Sequence, residues 1–107
     1  MSPEEYRELV LQLVERIPAG RVMSYGAIAE ALADVSGRQS ARQVGTIMAR
    51  YGGGVPWHRV VNSGGRVPPG HEMRATQLLA AEGTPMRSGR VIMEIAAWYP
   101  EDHTSGR

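Results

Sequence analysis

The chain of 107 residues contains no cysteine. That excludes a disulfide framework, a thiolate nucleophile and any thiolate zinc site. Lysine is missing too, so all twelve basic residues are Arg. No apolar run approaches the roughly 18 residues needed to cross a bilayer. No Gly-x-Ser-x-Gly elbow is present for a serine hydrolase. The triplet Gly52-Gly53-Gly54 lacks the Gly-Lys-Ser/Thr that completes a phosphate loop, and reads as a flexible turn. His58, His71 and His103 have no metal-ligand spacing, so neither a metal nor a cofactor is expected. The opening MSPEEYRE is acidic where a secretory signal is basic. The expectation is a cytoplasmic protein, nucleoid-associated if bacterial, with no membrane partner.

Length and charge narrow the class further. A chain of 107 residues suits one domain with one core. It is expected to span 1–107, with a loosely ordered tail from about 99. Residues 1–34 carry three arginines against six acids, whereas residues 35–90 carry eight against two, a local balance of +6. The last 17 residues return to −2. A basic middle between acidic ends suits a polyanion such as nucleic acid. The plainer explanation is a GC-rich genome choosing Arg over Lys, which fits the all-Arg usage but fits the clustering less well.

Local patterns predict the elements. SPEEYRELVLQLVERIPAG reads as a helix, with Ser2 as its cap, Pro3 at the first position and Glu5 completing a capping box. Tyr6, Leu9, Val10, Leu13, Val14 and Ile17 fall at helical spacing and should face the core. Ser24 caps a second helix, YGAIAEALADV, after a short extended piece. A turn near SGRQ leads to a third helix, SARQVGTIMARY, closed by the glycines. Two short helices after a longer one suggest a helix-turn-helix. HRVV-NSGG-RV reads as a hairpin, HEMRATQLLAAEG as another helix stopped at Gly83, and RVIMEI as a late strand. The fold class is therefore mainly α with a small β-hairpin, on a winged-helix plan.

One segment stands apart. VPWHRVV, residues 55–61, places one of only two tryptophans between a proline and a histidine. Glu82 could pair with His58 across the fold, which gives a base and its orienter nothing to activate. As plain structure, Trp57 is a core residue that fills space.

GRVMSYGAIAEAL (20–32), SARQVGTIMA (40–49), PWHRVV (56–61) and LLAAEG (78–83) resemble, in order and spacing, the DNA-binding domain of the O6-alkylguanine-DNA alkyltransferases. The resemblance covers about residues 3–95. Those enzymes carry Pro-Cys-His-Arg where this chain has Pro56-Trp57-His58-Arg59, so it resembles the non-transferring, alkyltransferase-like branch.

The resemblance implies a role for each matching residue. Arg42 matches the arginine inserted into the base stack in place of an extruded nucleotide, where a planar guanidinium can stack and donate. Its plainer role is a phosphate contact. Ser40, Ala41 and Gly45 match small residues that bring the helix close to the minor groove, though Gly45 also suits helix packing. Tyr25 matches a tyrosine that crowds the phosphate and helps rotate the nucleotide outward. Val60 and the main chain of Trp57 match carbonyls that accept from the guanine amine, and Pro69 and Gly70 belong to the loop closing the lesion pocket. His58 and Glu82 match the relay that deprotonates the enzymes' cysteine; with Pro56 and Arg59 they become a pocket scaffold. An indole cannot take up an alkyl group as a thiolate does, but its face can wall a flipped base.

The loop departs from the family. Pro68 and Pro69 stand where many relatives have Tyr-Ser, and neither has an N–H to offer the lesion O6. Discrimination then falls to Arg66, Arg74 or the stiffened loop itself. The resemblance implies a monomer that binds duplex DNA containing O6-alkylguanine, flips the lesion without catalysis and marks it for nucleotide excision repair proteins. The open alternatives are a sequence-specific winged-helix regulator and an enzyme keeping residual activity through His58 and Glu82.

Overall fold

The computed structural model describes residues 1–37 and 40–100. Helix α1 (Pro3–Arg16) begins as its sequence predicts. The Glu5 N–H donates to Ser2 Oγ at 3.1 Å, and the Ser2 N–H to Glu5 Oε1 at 2.7 Å. Two of the donors orphaned at a helix start are thereby satisfied. Tyr6, Val10, Leu13, Val14 and Ile17 are buried along one stripe. Leu9 is only half-buried, at the margin of that stripe, and Leu11 packs on the core from the other margin.

Strand β1 (Met23–Ser24) leads into α2 (Tyr25–Ala31), capped by Ser24, whose Oγ accepts from the Ala27 N–H at 3.0 Å. A single turn, α3 (Ala33–Ser36), ends at Gly37 with φ +71°, a left-handed stop. Part of the expected SGRQ turn, residues 38 and 39, lies outside the described residues. Helix α4 (Ala41–Tyr51) is capped by Ser40 and packs against α2 and α1. It runs into a tight turn at Gly52–Gly54.

The strands differ from expectation. β2 (Val60–Val61) pairs in parallel with β1, Met23 opposite Val60 and Ser24 opposite Val61. The hairpin expected over 58–67 does not form. The chain does reverse there: Asn62 Oδ1 accepts from the N–H groups of Gly64 and Arg66 at 2.9 and 2.8 Å. Its returning limb docks on the later hairpin instead, where Val91 N–H donates to the Gly65 carbonyl at 2.9 Å. Gly65, at φ +83°, is needed there because a Cβ would collide with the Val91 carbonyl. Strands of two residues are too short to choose a partner by local sequence, so the burial of both Val60 and Val61 decides.

The small hairpin is β3 (Met86–Arg87) and β4 (Arg90–Val91), closed by Ser88 and Gly89 with φ of +55° and +79°. A two-residue turn with both φ positive matches the twist of its strands. It follows α5 (Glu72–Ala81), which stops at Glu82 before Gly83, where φ is +76°. The expected late strand 90–95 is extended only at Arg90–Val91, and Met93–Ala96 forms a helical turn, α6. The late chain is tied down by Arg21, whose Nε and Nη2 donate to the Ala96 and Ala97 carbonyls at 3.1 and 2.6 Å. The loose tail expected from about 99 falls, from 101 onward, outside the described residues.

The β1–β2 seam divides the interior. Met23 and Val60 face a cluster with α1, α2 and α4; Val22 and Val61 face another with α5, β4 and α6. Alternate residues of a strand point to opposite faces, so two short strands serve both half-cores. Among the described residues no helix is long and apolar enough to cross a membrane. None of their His, Asp or Glu side chains gather in groups of three that could hold a metal ion.

Candidate nucleic-acid interface

Pro56 leads into a single helical turn, Trp57–Arg59, immediately before β2. The turn sends its side chains in opposite directions. His58 goes inward and is only 7% exposed. Its Nε2 lies 2.9 Å from Glu82 Oε2. Arg59 grips the same carboxylate with two nitrogens, Nε to Oε1 at 3.1 Å and Nη2 to Oε2 at 2.6 Å. Its Nη1 donates to the Ile17 carbonyl at 2.8 Å. The Arg59 hydrogen bonds are the main cause that holds the Glu82 carboxyl down to about 2 from an ordinary 4.5; partial burial opposes them and His58 adds to them. Glu82 is thus an anion at neutral pH, and His58 Nε2 must be the donor. The clamp joins the end of α1, the 57–59 turn and the end of α5.

Trp57 goes the other way. Its ring lies edge-on to His58, centroids 5.9 Å apart, and 5.6 Å from His71. It walls a cavity of about 460 Å³. That is within the size range of pockets for small organic ligands. Gly45, Met48 and Ala49 line one side from a single face of α4, joined by Gly52 and Gly53 of the turn that follows it. Tyr25 enters from the start of α2, and Pro68, Pro69 and His71 close the opposite rim. Tyr25 is half-buried, and that burial raises its phenol pKa, so it stays a neutral donor.

The expected residues therefore separate into groups. Tyr25, Gly45, Trp57 and Pro69 meet at the cavity. Val60 is fully buried behind it and Gly70 is exposed beside it; neither lines it. Ser40 uses its hydroxyl to cap α4, accepting from the Gln43 N–H at 3.1 Å. Ala41 and Arg42 are exposed in the first turn of α4, and Gly45 follows Arg42 by one turn. Arg42 borders a shallow groove shared with Arg7 and Tyr51 rather than the cavity. Arg7 itself lies over the Tyr51 ring, 4.4 Å from its centroid. A Cβ at Gly45 would meet Tyr25 only at 4.0 Å, an ordinary contact, so packing of α2 on α4 does not demand glycine there.

Sequence reasoning missed Met48, Ala49, Gly52, Gly53 and His71. The lining on the α4 side was legible, because Gly45, Met48, Ala49 and Gly52 recur at i, i+3, i+4 and i+7. His71, one residue past Pro-Pro-Gly, gave no periodic signal. The basic middle also resolves. Arg59 is tied to Glu82, while Arg42, Arg50, Arg66, Arg74, Arg87 and Arg90 are exposed.

Comparison with known proteins adds to this geometry. The pattern of the 6-O-methylguanine DNA methyltransferase DNA-binding domain matches residues 5–84. A DNA base-flipping protein of Escherichia coli strain K12 is 35% identical over 100 residues, which cover 89% of this chain and 75% of that protein. Alkyltransferase-like protein 1 of Schizosaccharomyces pombe is 41% identical over 69 residues, covering 63% of this chain and 61% of that protein. The fold matches S. pombe Atl1, solved in complex with damaged DNA containing O6-carboxymethylguanine, with a TM-score of 0.78. The identity there is 31%, over 94% of this chain and 100% of that one.

Proposed function

The chain belongs to the family of the 6-O-methylguanine DNA methyltransferase DNA-binding domain, as an alkyltransferase-like protein, and from that premise we propose that it recognises damaged DNA without repairing it. In this reading it acts as one domain and a monomer. It binds O6-alkylguanine in duplex DNA through the minor groove and rotates the damaged nucleotide into the cavity walled by Trp57. The base is held, not dealkylated, and the bent, occupied site is handed to nucleotide excision repair proteins. Its place of work is the cytoplasm or nucleoid.

One observation carries the proposal. Trp57, which the motif resemblance sets where the family's reactive cysteine stands, lines an open cavity in a chain that has no cysteine. An indole face can stack on a base, a contact worth about 1–3 kcal/mol. The rest of the site agrees. Arg42 is exposed, and among the described residues no ion pair or side-chain hydrogen bond holds its guanidinium, which leaves it free to enter the duplex. The absence of a Cβ at Gly45 keeps the α4 face low beside the cavity, where packing alone does not require it. His58 and Glu82 serve as scaffold, with Arg59 sharing the carboxylate that a relay would need.

The test is the affinity ratio between duplexes with and without one O6-methylguanine, at a stated salt concentration, since phosphate contacts make affinity salt-dependent. The proposal expects a clear preference for the lesion, and equal binding overturns it. Arg42→Ala should abolish extrusion, followed by fluorescence of a base analogue, while leaving salt-sensitive binding. Mass spectrometry of protein and DNA after long incubation should find neither alkylated protein nor dealkylated base.

A further inference from the structure

The loop that closes the cavity has no backbone donor left to offer. Pro68 and Pro69 line it and carry no N–H. The Gly70 N–H is taken by Glu72 Oε1 at 3.0 Å. The His71 N–H is taken by the Pro68 carbonyl at 3.2 Å. Neither arginine singled out from the sequence fills the gap. Arg66 lines the adjoining groove on the far side of the prolines, and Arg74 lines neither space. What remains on this wall is the imidazole of His71. It lies 5.6 Å from the Trp57 ring at an interplanar angle of 61°. Among the described residues no hydrogen bond holds its ring nitrogens.

We propose that His71 is the side-chain donor that reads the N1 position of the base held against Trp57. The inference rests on the lesion-binding reading above and names the residue that sets its selectivity. Guanine presents an acceptor at O6 but a donor at N1. Alkylation at O6 removes the N1 hydrogen, so the damaged base shows acceptors at both positions. An imidazole offers one N–H when neutral and two when protonated. A donor aimed at N1 is satisfied by the lesion and meets another donor on undamaged guanine, whereas one aimed at O6 would meet an acceptor on both. Discrimination then comes as much from the mismatched guanine as from the favoured lesion. The edge contact with Trp57 sets the tilt of the imidazole, and Glu72 beside it is occupied by Gly70.

Two variants separate the donor from the ring. His71→Phe keeps a ring against Trp57 and removes the donor; His71→Gln keeps an N–H and removes the ring. For each, the dissociation constants for duplexes with guanine and with O6-methylguanine are measured, together with base extrusion by fluorescence. In His71→Phe the lesion preference should fall by about fivefold, as for one lost neutral hydrogen bond, with extrusion preserved. His71→Gln should restore at least half of the preference. An unchanged ratio in His71→Phe overturns the inference, and so does an equal loss in both variants, which would make the effect one of shape. A wild-type ratio of one sinks the lesion reading itself and this inference with it.

Discussion

Residues 57–59 put two different environments on one turn. On the inner side, His58 and Arg59 meet Glu82 in a closed set of four hydrogen bonds that also reaches the Ile17 carbonyl. On the outer side, Trp57 faces an open cavity whose polar side chains, Tyr25 and His71, have no hydrogen-bond partner among the described residues. Satisfied groups stabilise a fold, and unsatisfied ones are available to a ligand. Neighbours in sequence are thus divided into a part that holds the molecule together and a part that is left to bind.

Substitutions on the two sides should move different observables. Glu82→Ala leaves Arg59 and His58 without their shared anion, 17% exposed as it is. The expected loss is about 3 kcal/mol of stability, or a Tm lower by roughly 15 °C, measured by thermal unfolding. The same clamp predicts acid sensitivity. Glu82 has a folded pKa of about 2 against an ordinary 4.5, so its contribution is complete above about pH 4.5. That contribution is lost as pH falls toward 2, and in Glu82→Ala this component of the pH dependence should vanish. An acid transition identical in the two proteins would place the stabilising charge elsewhere.

Trp57→Ala should do the reverse. Affinity for a lesion duplex is expected to fall by about 30-fold, a loss of about 2 kcal/mol. Stability should fall by less, about 1–2 kcal/mol, because the ring is half-buried at the cavity wall and packs on the α5 core cluster from outside rather than within it. A large loss of stability with unchanged binding would make Trp57 the plain filler of space. Ser2→Ala should be the smallest change. It removes the α1 cap for about 1 kcal/mol of stability and leaves lesion preference untouched.

The helices were legible because their signals are local. Ser2, Ser24 and Ser40 each cap the helix they precede, and the buried stripe of α1 follows its apolar spacing except at Leu9. The strands were not, because their partners are distant. Val60 and Val61 look like the first limb of a hairpin with Asn-Ser-Gly-Gly as its turn. They are instead held by Met23 and Ser24, residues brought alongside by the intervening helices. The hairpin that does form uses only Ser88 and Gly89 as its turn. At the site, Trp57, Tyr25 and Pro69 could be placed from motif order alone. The sequence pointed to Arg66 and Arg74 as sources of hydrogen bonds and passed over His71. The choice between Arg66 and His71 depends on which side of Pro68 and Pro69 each side chain lies, a fact of tertiary packing.

The central claim is that the indole of Trp57 receives the extruded base. The chain has two tryptophans, and Trp98 is half-buried near Arg16, away from the cavity. A Trp98→Phe variant therefore reports from Trp57 alone. Titrated with duplex containing one O6-methylguanine, its fluorescence should be strongly quenched by the stacked base, and much less by the undamaged duplex. Saturable binding of the lesion duplex with Trp57 emission unchanged would contradict the account.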